Sequence, residues 1–175
     1  MRTWSSLLVL AGCAVACSGH TTTIPLLTAA GIPLTLTPTS QVPLEVVTRS
    51  TAIRDPLPVD GSGVSYADIE GALGHAVSSA TAPWAQAHRD AAGGGWTLLV
   101  EVIQAQAEYD GDRLVVSLGT QASLRTRDGN RYIGQTFVRC REAGLTEPEK
   151  GGPVVYGCMT HLGRDLAGWL GGVQL

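Results

Sequence analysis

Residues 96–140 read WTLLVEVIQAQAEYDGDRLVVSLGTQASLRTRDGNRYIGQTFVRC and decide the fold. Apolar and polar residues alternate in three runs, at 96–108, 114–125 and 132–140, and this is the period of a half-buried β-strand. The turn sequences Asp110-Gly111 and Asp128-Gly129-Asn130 separate the runs. Because Asp-Gly between alternating runs is a strong hairpin signal, the stretch predicts a three-stranded antiparallel meander.

A helix is predicted before the meander. Ser65 and Asp68, three residues apart, resemble a capping box that would start this helix. Apolar residues then recur at spacings of four and three and share one helical face: Ile69, Leu73, Val77, Ala80 and Trp84. Pro83 lacks the N–H of a helical residue, so we expect the helix to end near Ala82 or to bend there.

One more strand and a second helix complete the predicted domain. Leu44–Thr48 is short and β-branched, as in strands, and a loop is expected over residues 50–63. A polar loop over residues 142–153 precedes a C-terminal helix at Tyr156–Leu170. These patterns predict a single α+β domain over residues 42–175, with the meander and one N-terminal strand packed by two helices on one face.

The N-terminus resembles the export signal of a bacterial lipoprotein. Arg2 precedes an apolar run, from Trp4 to Ala16, that is too short to span a membrane as a helix. Small residues precede a cysteine twice, at Cys13 and at Cys17, as in the lipobox whose cysteine is acylated with fatty acids such as palmitate. We predict a signal peptide over residues 1–16 and lipid attachment at Cys17, with Cys13 as the alternative. A plain secretory signal, or a buried N-terminus of a cytosolic protein, are the other interpretations.

Signal length and cysteine parity favour Cys17. The Leu10-Ala11-Gly12-Cys13 sequence fits the lipobox better, but it leaves a short signal. Cleavage before Cys17 removes Cys13 and leaves Cys140 and Cys158 as an even pair in an oxidising compartment. A disulfide between them is predicted, and closing a loop of about nineteen residues would stabilise the fold by roughly 3 kcal/mol. In the lipoproteins that this signal resembles, an aspartate after the lipidated cysteine retains the protein on the inner membrane. Here that residue would be Ser18 or Ala14, so the resemblance implies the outer membrane, and we expect the domain on its periplasmic face.

The segment between signal and domain is expected to be a tether. Residues 17–41 are rich in threonine and contain Pro25, Pro33 and Pro38, which disfavour a helix and stiffen the chain. The alternative is that the alternating residues 32–36 add an edge strand to the domain.

Composition and motifs argue against nucleic-acid binding and catalysis. The chain has 12 basic and 15 acidic side chains, and loss of Arg2 with the signal leaves 11 and 15, a net charge of −4. The histidines are scattered and form no metal-ligand pattern, so we expect no metal, no cofactor and no enzymatic activity. His161 and Asp165 are expected to form only an exposed helical pair.

Arginines near the end and edge of the meander are the candidate partner-binding residues. The four candidates are Arg125, Arg127, Arg131 and Arg139. An acidic protein is the partner that such a set would favour, whereas a solvated face is the alternative interpretation.

The order of elements behind a lipobox is similar to that of the auxiliary lipoproteins of ABC-type transport systems. Their helix often begins near a Tyr-x-Asp segment, comparable to Tyr66-Ala67-Asp68 here. The lipopolysaccharide-assembly lipoprotein has the same layout. The resemblance implies a non-enzymatic, lipid-anchored accessory or scaffold with an envelope protein partner. The alternative function is a carrier that holds a lipid or small ligand in a groove between helices and sheet.

Overall fold

A computed structural model describes residues 21–33, 43–52, 55–89 and 95–175. The predicted signal peptide, both candidate lipidation cysteines and residues 34–42 lie outside these ranges. The elements are β1 (Thr22–Pro25), α1 (Leu26–Ala29), β2 (Leu44–Ser50), β3 (Leu57–Asp60), β4 (Val64–Ala67), α2 (Ile69–Ala87), β5 (Trp96–Asp110), β6 (Arg113–Thr126), β7 (Tyr132–Leu145), a 3-10 turn (Pro148–Lys150) and α3 (Gly152–Gly171).

The strands form one mixed seven-stranded sheet in the order β1-β4-β3-β5-β6-β7, with β2 also paired to β5. The antiparallel pairs β5–β6 and β6–β7 confirm the predicted meander. The predicted N-terminal strand is β2, which runs parallel to the first half of β5, while β3 pairs in parallel with residues near its end. A register shift between Val102 and Gln104 separates the two halves of β5.

The sheet is larger than predicted. Three strands, β1, β3 and β4, were not expected, and β7 continues to Leu145 into the predicted polar loop. Each of the three missed strands has four residues, and β3 contains Pro58 within a segment that has the composition of a turn. A four-residue strand carries too little alternation to be told from a loop, so only its pairing partners define it.

The predicted start of α2 is wrong. Ser65 lies in β4 and its hydroxyl pairs with Thr23, whereas α2 begins at Ile69. Asp68 is the N-cap in a left-handed conformation, with φ of 63°, and its side chain makes no capping bond. Its backbone N–H donates to the Asp55 carboxylate instead. At the other end Pro83 is tolerated inside the helix, which continues to Ala87.

The part of the predicted tether that the structure describes belongs to the domain. β1 pairs in parallel with β4, and α1 buries Leu26 and Leu27 against α3. Leu26 is fully buried. The two adjacent leucines cover apolar surface of the domain, and burying them outweighs the proline-rich character of the segment.

The helices α2 and α3 pack against each other and on one face of the sheet, as predicted. The even-numbered residues of β6 and β7 face them and the odd-numbered ones face outward, apart from a register shift after Leu124. At least one buried core residue comes from every β-strand from β2 to β7, as Leu44, Val59, Val64, Leu98, Leu124 and Cys140 illustrate. Among the described residues no helix is long and apolar enough to cross a bilayer.

Candidate functional site

The four candidate arginines do not form one cluster. Arg125 lies over the ring of Tyr132, with 5.8 Å between guanidinium carbon and ring centroid. Arg127 approaches Glu45, with 3.8 Å between Nε and Oε2, and its backbone N–H donates to Gly95. Arg131 sits in the β6–β7 turn. Arg139 lies seven residues after Tyr132, roughly 24 Å further along β7.

A different arginine cluster lies at the middle of β7. Arg139 and Arg141 of β7 and Arg164 of α3 line one concavity of about 480 Å³, together with Cys140, His161 and Asp165. The three arginines are exposed, and they make no ion pair with any residue in the described part of the chain. We call Arg139, Arg141 and Arg164 the β7 arginine cluster. Only Arg139 was among the four candidates. Arg164 had no sequence signal, because a helix position meets a strand position only through the tertiary fold.

A disulfide holds this region together. Cys140 of β7 and Cys158 of α3 are bonded, as predicted, with 5.5 Å between their Cα atoms. It ties the helix that carries Arg164 to the strand that carries the other two arginines. The cluster is therefore held on a covalently connected strand and helix, and this limits the movement of one relative to the other.

Beside the disulfide, His161 pairs with Glu142 and not with Asp165 as expected. Donor atoms of Cys140, Glu142 and His161 lie within 4.8 Å of one another, a spacing that a metal ion could use. A disulfide sulfur is not a thiolate, however, and the thiolate is the form of cysteine that binds metals. In the disulfide-bonded protein the contact between His161 and Glu142 joins helix to strand beside the covalent link.

β7 is the last strand of the sheet on this side. In the described part of the chain it pairs only with β6. Its outward face carries large exposed apolar side chains: Tyr132 is 51% exposed, Phe137 59% and Leu145 76%. The edge of a long strand is a place where the strand of another chain can pair. Charged residues on an edge strand limit indiscriminate pairing of this sort.

The space between helices and sheet is filled by side chains. Leu73 and Val77 of α2, Leu162 and Leu166 of α3, and Leu98 of β5 are each at most 1% exposed. A concavity of about 420 Å³ with Leu57 and Ala107 among its lining residues is formed by strand and loop residues only, next to Thr21. The groove that the carrier alternative needs would thus lie where the hydrophobic core is packed.

Comparisons with known proteins extend this description at the level of the fold. No protein-family profile matches the chain, and no curated protein sequence matches it. A Xanthomonas campestris protein of family DUF330 has a similar crystal structure, with a TM-score of 0.53 and 15% identity over 75% of this chain and 85% of that one. This similarity shows a shared fold.

Two further structures are weaker matches. A putative lipoprotein of Caulobacter crescentus gives a TM-score of 0.42 at 12% identity, over 74% of this chain and 92% of that one. A minor lipoprotein of Acinetobacter baumannii gives 0.40 at 10% identity, over 74% and 90%.

Proposed function

We propose that this protein is a lipid-anchored accessory of the bacterial envelope that holds a partner protein at the periplasmic face of the outer membrane and has no enzymatic activity. The observation that carries the proposal is the β7 arginine cluster, three exposed guanidinium groups around one concavity that make no ion pair with the described residues. The lipobox at the N-terminus supports the anchor.

Arginine is the cation best suited to a protein interface. Its planar guanidinium binds a carboxylate through two parallel hydrogen bonds and is more weakly hydrated than an ammonium group. Among the described residues no carboxylate forms an ion pair with these guanidiniums, although Asp165 lines the same concavity. Phe137 adds apolar area two residues from Arg139 on the same face. An acidic partner segment with an apolar residue would match both features.

The anchor would hold the domain near the membrane. β1 starts at Thr22, and Thr21 is the residue before it. The four residue steps from Cys17 to Thr21 span at most about 14 Å when fully extended. With lipid on Cys13 the limit is about 29 Å. A domain on so short a connection reaches partners at or next to the membrane surface. This favours an accessory to a membrane-bound assembly over a carrier that crosses the periplasm.

The experiment is site-specific photo-crosslinking in the native cell. A photoreactive amino acid replaces Phe137 or Ala143, both on the outward face of β7, and a matched replacement at Glu45 on β2 serves as the control position. We expect protein adducts from the β7 positions, lost in Arg139→Glu/Arg141→Glu and retained in Arg49→Glu. Arg49 is an exposed strand arginine away from β7.

The proposal is overturned if β7 gives no protein adduct, or if its adducts are insensitive to the double charge reversal. The anchor is tested separately by the intact mass of protein extracted from membranes. We expect a diacylglyceryl addition on Cys17, and a mature chain without it would contradict the lipoprotein assignment. Lipid that copurifies in stoichiometric amount beyond the anchor would favour the carrier.

A further inference from the structure

The edge of β7 offers backbone hydrogen bonds as well as charge. β7 is 14 residues long and pairs with β6 along almost its whole length. In an antiparallel pair alternate residues direct their N–H and C=O groups away from the partner strand. Those groups have no protein partner in the described part of the chain, because β7 ends the sheet.

The arginine cluster lies along this edge in a fixed register. Arg141, Arg139 and Phe137 follow one another at intervals of two residues, so their side chains stand in a row on the outward face. Arg164 lines the same concavity from α3, on the helix side. A strand added to β7 would set its own side chains beside this row at the same interval.

We propose that β7 receives an extended segment of the partner protein as an additional strand, with the side-chain pattern acidic-x-acidic-x-apolar. The two acidic residues lie beside Arg141 and Arg139, and the apolar residue lies beside Phe137. The backbone of the segment completes the hydrogen bonds of the β7 edge. This inference rests on the proposed function and names the partner segment and its mode of binding.

Charge disfavours a second copy of this chain as the occupant when the pairing is centred on the arginines. Two copies of this chain could pair through their β7 edges, but an antiparallel pairing centred on Cys140 would set Arg139 of one copy opposite Arg141 of the other. Like charges directly opposite each other destabilise a strand pair. An anionic lipid headgroup could contact the arginines but would leave the backbone edge unpaired. The edge and the row together favour an acidic peptide strand.

The test uses the full-length protein in detergent micelles and a fluorescent peptide, Thr-Thr-Glu-Thr-Glu-Thr-Val-Thr-Thr. One control peptide has the same composition with the glutamates adjacent. Two further peptides are N-methylated at alternate residues, one in each register, so that only one of them loses the N–H groups that would face β7. Binding is followed by fluorescence polarisation, and hydrogen exchange with mass spectrometry locates the contact. We expect slower exchange over residues 134–144 when the peptide binds.

We expect Arg139→Glu/Arg141→Glu to weaken binding at least tenfold and Arg49→Glu to change it less than twofold, both measured at a temperature at which each variant is folded. The peptide with adjacent glutamates should also lose at least tenfold, and so should the N-methylated peptide whose blocked N–H groups face β7, whereas the other N-methylated peptide should bind more tightly than that one. Equal affinity for the N-methylated peptides would overturn strand addition while leaving the arginine cluster of the proposed function intact.

Two other outcomes contradict the inference. Vesicles of phosphatidylglycerol that displace the peptide and reproduce the protection of residues 134–144 would assign the cluster to lipid headgroups. Protection of β7 that rises with protein concentration in the absence of peptide would assign the edge to a second copy of the chain. The crosslinking experiment in cells tests the proposed function, and the peptide experiment tests strand addition. A failure of one can therefore be told apart from a failure of the other.

Discussion

Tyr66 is a buried polar residue at the centre of the fold. It is fully buried, and its hydroxyl donates to the Pro148 carbonyl at 2.5 Å, so that β4 is connected to the turn before α3. Burial raises the pKa of Tyr66, the backbone hydrogen bond with Gly151 acts against this, and the Glu149 carboxylate adds to the increase. The hydroxyl of Tyr66 therefore contributes to stability only while it is protonated, because only then can it donate this hydrogen bond.

This pKa shift predicts a loss of stability in alkali. Because the folded pKa lies above the unfolded one, the contribution is complete below the unfolded pKa of about 10 and is lost as the pH rises through the folded pKa. Tyr66→Phe should be less stable by about 1 kcal/mol at pH 8 and should show a smaller decline above pH 10. Urea unfolding followed by tryptophan fluorescence measures both. The control is Tyr132→Phe on the exposed face, and parallel pH curves for Tyr66→Phe and the parent would contradict the prediction.

Among the elements, the two long helices meet closely at Gly163. A Cβ atom at this position would lie 2.9 Å from the Ala76 carbonyl oxygen and 3.2 Å from the Ala80 side chain. Gly168 lies on the same helix and would meet nothing within 4 Å. The absence of a side chain at Gly163 is thus what allows α2 and α3 to approach each other.

The helix contact predicts opposite effects of one substitution at the two positions. Gly163→Ala should destabilise the protein by about 1–3 kcal/mol, since backbone must move to admit the methyl group. Gly168→Ala should stabilise it by roughly 0.5–1 kcal/mol, because alanine is the better helix former. Thermal unfolding of the two variants decides the matter. A Gly163→Ala protein as stable as Gly168→Ala would show that the helices are not in close contact here.

The N-terminal elements β1 and α1 distinguish a docked segment from a free tether. Leu26 is fully buried, whereas Thr28 on the same short helix is exposed. Leu26→Ala should lower the free energy of unfolding by about 2–4 kcal/mol, and Thr28→Ala by less than about 0.5 kcal/mol. Urea denaturation provides the comparison. Equal stability of the two variants would show that this segment is a free tether and is not docked on the domain.

For the molecule as a whole, the sheet has one end at which the N-terminal segment enters and an opposite end. β1 starts next to Gly63, and β3 and β5 run in parallel to end at Asp60 and Asp110, so the chain enters at the end with these turns. The β6–β7 turn with Arg131 lies at the opposite end of β6, whose 14 residues extend for roughly 45 Å. The β7 arginine cluster lies between the two ends.

This orientation predicts where lipid is in reach. With Cys17 anchored, a photoreactive amino acid in place of Asp112 should form lipid adducts, and one in place of Asp128 should form few or none. The reason is that the first site lies at the end where the short connection enters, and the second lies one strand length away. Adduct mass spectrometry of membrane-embedded protein measures both. Equal lipid labelling at the two sites would contradict an orientation in which the Asp112 end of the sheet lies nearer the membrane than the Asp128 end.

Local sequence patterns were sufficient to predict the meander, the two long helices and the disulfide. Alternation over more than ten residues defines a strand without its partner, and the spacing of Ile69, Leu73 and Val77 defines a buried helix face. Cysteine parity paired Cys140 with Cys158, and the structure shows that bond. The prediction of a capping box at Ser65 was wrong because this serine is part of β4, where pairing with β1 and β3 decides its conformation.

The tertiary structure alone decided the short strands, the docking of residues 22–29 and the arginine cluster. A four-residue strand is stabilised by its neighbours in the sheet, and for β1 that neighbour is about forty residues away. Arg164 and Arg139 are 25 residues apart and lie on different kinds of element, so no periodicity connects them. Contacts between distant parts of the chain depend on how the elements pack together, and local patterns record only which face of each element is buried.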